Sequence, residues 1–189
     1  FFSDLSLRRD GANLLPDYDI VVFDEAHTIE QVAADHLGIS ISNGQVDYLL
    51  NKLYNERTHK GLLMRTVAPD VEFQRLQQNA IKIVDRIRHL SRDLFDSIVE
   101  IRQTHAAKNG RFRTPITIEN EVSPALKELS STITRLAELI RSDEEKIEYT
   151  SGAERCIGLA DSLNTWLQQT IEEAVYWVET SGQNQQRIK

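Results

Sequence analysis

Phe73-Gln-Arg-Leu-Gln-Gln-Asn-Ala-Ile-Lys-Ile-Val-Asp-Arg-Ile-Arg-His-Leu-Ser-Arg-Asp-Leu-Phe-Asp-Ser-Ile-Val-Glu-Ile101 decides the fold. Its apolar residues Phe73, Leu76, Ala80, Ile83, Ile87, Leu90, Leu94 and Ile101 recur at steps of three and four, with Ser97 at the one polar slot. Residues three and four apart share one face of an α-helix, so this spacing draws a continuous apolar stripe. Residues 70–108 contain no Gly or Pro, and the break comes at Lys108-Asn109-Gly110. The spacing therefore predicts one helix over 70–108, roughly 55 Å long at the standard rise per residue. An apolar face sustained over that length needs partner helices.

Two partners are on offer downstream. Ser123-Pro124 reads as an N-cap followed by the first helical residue, opening a helix with Leu126, Leu129, Ile133, Leu136 and Ile140 on one stripe. A further helix begins near Ser142 or Asp143, where Glu144 and Glu145 favour the first turn. It carries Cys156, Leu159, Leu163 and Trp166 inward, with Gly152 or Gly158 as places for a kink. Upstream, Ser42 or Asn43 caps a helix reaching about Asn55, and residues 56–69 form a loop with a helical turn near Leu62 to Met64. Residues 38–42 alternate briefly, as an edge strand or linker. Residues 111–119 and 174–179 have extended character and can pair with one another. Trp166 and Trp177 lie on apolar stripes and are expected in the core.

The 189 residues hold few breakers, 8 Gly and 4 Pro, which favours long helices over a many-turned β architecture. A 40% hydrophobic and 27% charged composition is that of a soluble globular protein. The net charge of −7 excludes a surface that is basic all over, so any nucleic-acid contact must use local patches. Cys156 is the one cysteine, which rules out a disulfide framework or a four-cysteine cluster within the chain and agrees with a reducing, cytoplasmic setting. The histidines are scattered without metal-ligand spacing. No stretch approaches the length needed to span a bilayer, and the first residues lack a signal-peptide pattern. The start at Phe1 rather than Met suggests a piece of something longer.

One segment has a different character. Residues 14–23 run Leu-Leu-Pro-Asp-Tyr-Asp-Ile-Val-Val-Phe, a turn followed by four consecutive apolar residues. Such a run, not alternating with polar residues, suits a strand buried on both faces of a parallel sheet. Asp24-Glu25-Ala26-His27 follows at once, at the strand's C-terminal end, where open α/β sheets bind ligands. Hydrolysis of Mg·ATP needs a carboxylate near the metal and a second group that orients the attacking water. Asp24 would hold Mg²⁺, through water, and Glu25 would polarise the lytic water. His27 would lie near the γ-phosphate and sense its loss. The alternative is that Asp24 and Glu25 simply stabilise the start of a helix.

The stretch Pro16-Asp-Tyr-Asp-Ile-Val-Val-Phe-Asp-Glu-Ala-His-Thr-Ile-Glu resembles motif II, the Walker B region, of the DinG/XPD-like helicases of superfamily 2. Phe1-Phe2-Ser-Asp-Leu-Ser-Leu-Arg-Arg is similar to the segment leading into motif II in bacterial DinG-like members. The close likeness covers about the first 30 residues. Beyond it the likeness is looser, to the mostly helical Arch domain inserted between motifs II and III.

The resemblance implies a helicase fragment in two parts: residues 1–28, a remnant strand of the first RecA-like α/β domain with the DEAH box, and residues 29–189, an Arch-like helical bundle with long helices and a few short strands. It implies ATP-driven 5′→3′ unwinding, with the Arch over single-stranded DNA and the remaining helicase domains as partners. A lone strand cannot bury both its faces, so the remnant should be poorly supported. Many family members hold an iron–sulfur cluster upstream of motif II. No Gly-x-x-x-x-Gly-Lys-Ser/Thr loop is present to cradle phosphates, so the chain alone is expected not to hydrolyse ATP.

Lys108, Arg111 and Arg113 flank Phe112 at the end of the long helix, a basic–aromatic grouping of the kind single strands use, and also an ordinary solvated loop. A competing reading of the whole is a helical protein-interaction module with a coincidental DEAH cap.

Overall fold

A computed structural model describes residues 1–9, 11–67, 70–105, 109–181 and 187–188. The protein is mainly helical and divides into two compact units, Phe1–Ser40 and Ile41–Lys189.

The larger unit is built on helices α3 (Asn43–Leu53), α4 (Leu62–Arg65), α5 (Val71–His105), α6 (Val122–Leu139) and α7 (Asp143–Gln168). α3 opens with a full capping box: Ser42 Oγ accepts from the Gln45 N–H at 3.2 Å, and Gln45 Oε1 accepts from the Ser42 N–H at 2.7 Å. α5 is a single helix of 35 residues, with Asp70 Oδ1 taking the Phe73 N–H at 2.8 Å at its start. The expected 70–108 helix is thus present to His105; residues 106–108 lie outside the described ones.

α5 packs on α6 and α3, and α6 packs on α7. Phe73, Ala80, Ile87, Leu126, Leu129, Ile133, Leu136 and Leu163 are fully enclosed. Beyond Leu94 the buried face of α5 continues through Phe95 and Ile98 rather than through Ser97 to Ile101, which is half-buried. A straight helix drifts against a strict seven-residue repeat, so the contact line moves sideways over this length.

α6 and α7 meet closely through small side chains. Ser130 Oγ donates to the Ala153 carbonyl, and Ser123 Oγ to that of Ala160, each at 2.9 Å. Ser123 is therefore not the N-cap. Its hydroxyl is committed to α7, and Asn120 supplies the capping oxygen to the Ser123 N–H at 3.1 Å. α7 runs unbroken through both glycines. Gly152 has a packing reason, since a Cβ there would meet Leu53 at 3.2 Å and Leu62 at 3.4 Å.

Strand β1 (Arg111–Phe112) pairs antiparallel with β2 (Tyr176–Trp177), in register Arg111↔Trp177 and Phe112↔Tyr176, joining the two extended segments seen in the sequence. Gly110, at φ 77°, makes this closure possible: its carbonyl accepts from the Val178 N–H at 3.0 Å, and a Cβ would sit 2.4 Å from the Val178 oxygen. β3 (Thr180–Ser181) pairs with β4 (Arg187–Ile188).

The smaller unit comprises α1 (Phe2–Arg9), a 3₁₀ turn (Ala26–Thr28) and α2 (Ile29–Leu37), with α1 packed on α2. The compact unit that holds α1 and α2 runs from Phe1 to Ser40. The strand expected at residues 20–23 is not formed. Ile20 is 82% and Val22 90% exposed. A doubly buried strand needs a neighbour on each edge and a layer on each face, and Phe1–Ser40 has no strand among its described residues to supply them.

Candidate functional site

Asp24, Glu25 and His27 come together in one surface turn. Asp24 Oδ1 accepts the Glu25 N–H at 2.9 Å. Glu25 adopts the left-handed conformation, φ 54° and ψ 43°, and its carbonyl accepts from both the N–H and the hydroxyl of Thr28 at 3.0 Å. The left-handed region costs a side-chain-bearing residue about 1–2 kcal/mol, and strain of this kind concentrates at functional sites. The Glu25 carboxylate then reaches His27 Nδ1 at 3.2 Å, with both side chains exposed.

Upstream of the turn, residues 14–18 are held by a network that periodicity does not signal. Asp4 is enclosed on α1 and accepts the N–H groups of Leu14, at 2.6 Å, and Leu15, at 2.8 Å, through Oδ1. Its Oδ2 takes Arg8 Nε at 2.6 Å and the Tyr18 hydroxyl at 3.3 Å. Arg8 also donates to Asp17 and to the carbonyls of Leu15 and Pro16, and lies 5.1 Å from the Tyr18 ring centroid. The Leu15 N–H above all, with Arg8 and the Leu14 N–H, holds the Asp4 carboxyl well below the usual carboxylate range against the opposing effect of burial. Phe23, next to Asp24, sits against Phe1 at 5.1 Å and Phe2 at 5.9 Å between ring centroids. The Asp4/Arg8 spacing of four is the one sequence signal for this network.

Asp24 and Glu25 are hard oxygen donors of the type Mg²⁺ takes, and Mg²⁺ keeps several waters and is commonly held by one or two carboxylates together with substrate phosphates. Among the described residues no three His, Cys, Asp or Glu gather in a metal-holding group. No Gly-x-x-x-x-Gly-Lys-Ser/Thr loop occurs in these 189 residues.

The basic grouping at the end of α5 is rearranged relative to expectation. Lys108 lies outside the described residues. Arg111 and Arg113 are exposed, but Phe112 is only 9% exposed and packs edge-on against Trp166 at 6.0 Å, so it offers no face to a base. Trp177, expected in the core, is instead 40% exposed. Cys156 is buried, and burial pushes its thiol up to about 12, as suits packing rather than nucleophilic chemistry.

No helix among the described residues is long and apolar enough to cross a membrane. No family model, no curated protein and no solved structure matches the chain.

Proposed function

We propose that this chain supplies the Asp-Glu-Ala-His half of the ATP site, and an Arch-like helical domain over single-stranded DNA, to an ATP-dependent DNA helicase of the DinG/XPD kind. One observation carries this: four consecutive apolar residues lead directly into Asp24-Glu25-Ala26-His27, and Ile20 and Val22 stand in solvent. Such a run gains from burial on both faces, which a RecA-like sheet contributed by the remaining helicase domains would provide. Asp24 would then hold Mg·ATP through water, the ion neutralising charge on the phosphates. Glu25 would orient and polarise the attacking water. His27, paired with Glu25 in the turn, would lie near the γ-phosphate. The 5′→3′ polarity follows from the resemblance alone, many members of that family hold an iron–sulfur cluster upstream of the motif, and the single cysteine agrees with a cytoplasmic setting.

Glu25→Gln in the intact enzyme tests this. Loss of DNA-stimulated ATP hydrolysis with nucleotide binding retained supports it. A second reading has its own observation: Asp24 and Glu25 stand at the entry to the 3₁₀ turn and α2, where acids favour a helix start. In that helical interaction module, Glu25→Gln leaves turnover unchanged.

A further inference from the structure

We infer that the outer face of the β1–β2 ribbon is a contact for single-stranded DNA, with Trp177 as stacking platform and Arg111 and Arg113 as phosphate contacts. It deepens the helicase reading and takes the identity of the strand from it.

In an antiparallel pair, residues opposite one another project to the same face, with Cβ atoms about 5 Å apart. Phe112 and its partner Tyr176 are buried, so that face of the ribbon belongs to the core. Arg111 and its partner Trp177 are exposed, so the other face is open. Arg113 and Val175, which flank the two paired residues of each strand, are exposed as well. The open face thus sets the Trp177 indole against the Arg111 guanidinium, with Arg113 exposed just beyond the ladder. Among the described residues neither guanidinium has an ion-pair or hydrogen-bond partner. Trp177 Nε1 donates to Glu179 Oε1 at 3.2 Å, which holds the ring by its edge.

A flexible strand with unpaired bases is the ligand this combination recognises. Stacking uses the π-face that every base has, and the arginines neutralise phosphates on either side. A duplex keeps its bases stacked on one another and cannot use the indole. The overall charge of −7 limits the affinity and makes it salt-sensitive.

The test is anisotropy of a fluorescein-labelled oligothymidylate titrated with the full chain at low salt, against a duplex of equal length. The expected result is preference for the single strand, weakened about tenfold by Trp177→Ala and largely restored by Trp177→Phe. Arg111→Gln with Arg113→Gln should flatten the slope of log K against log salt by about 1.4, at roughly 0.7 for each phosphate no longer neutralised. Far-UV circular dichroism of each variant confirms folding. Equal affinity for duplex, an unchanged salt slope, or full affinity in a folded Trp177→Ala protein overturns the proposal. Its failure is separable from that of the helicase reading, because Glu25→Gln acts on ATP turnover and leaves this nucleotide-free binding untouched.

Discussion

Residues 20–23 form a more continuous apolar run than anything in α6, yet Ile20 and Val22 stand in water while Leu126, Leu129, Ile133 and Leu136 of α6 are fully enclosed. The difference is one of partners rather than hydrophobicity. A helix satisfies its own backbone and needs only one packed stripe, which α5 and α7 supply to α6. A strand must borrow hydrogen bonds and cover from other segments. The bundle therefore carries its stabilising surroundings within the chain, whereas residues 20–23 make no backbone hydrogen bond to any described residue.

Truncating the two regions should break the symmetry of their composition. Leu129→Ala or Ile133→Ala is expected to destabilise the bundle by about 2–5 kcal/mol in denaturant titration, as buried large-to-small changes do. Val22→Ala should stay within about 0.5 kcal/mol, as exposed substitutions do. Gly152→Val forces a branched side chain against Leu53 and Leu62 and should cost about 1–3 kcal/mol by the same measurement.

Acid should separate the regions differently. The Asp4 carboxyl is depressed in the folded state, so the stability it contributes is complete above its ordinary value near 4 and is lost as pH falls below it. Limited proteolysis at falling pH should cut residues 11–24 before the bundle loses helicity, and Asp4→Asn should give that cleavage at neutral pH. Cys156 should resist alkylation at pH 8 in the folded chain and react on unfolding, because its thiol is enclosed by α7's packed face. A small effect belongs to the Arg86–Glu128 pair between α5 and α6, half-exposed on both sides. Arg86→Ala should cost below about 1 kcal/mol.

The bundle is legible in the sequence because its information is local and periodic: spacings of three and four in α5 and α6, a Ser42/Gln45 capping box, Ser142 ahead of three acids. What is not legible depends on contacts between distant residues. Ser123 has the appearance of a cap, but its hydroxyl is taken by Ala160. Phe112 and Trp177 exchange their expected roles because the face a strand residue takes depends on register, and a one-residue shift reverses it. For the DEAH segment, the residue types are plain to read, but the left-handed Glu25 and the Asp4–Arg8 network arise from side chain-to-backbone bonds without periodicity.

The most direct measurement is amide hydrogen exchange at residues 20–23, in this chain and in the intact helicase proposed above, with α6 as internal standard. The expected result is near-unprotected exchange in the chain alone, several orders of magnitude faster than α6, and strong protection once the remaining domains are present. Protection matching α6 in the chain alone, or none in either form, would contradict the proposal that this run and the acids behind it are half of a shared ATP site.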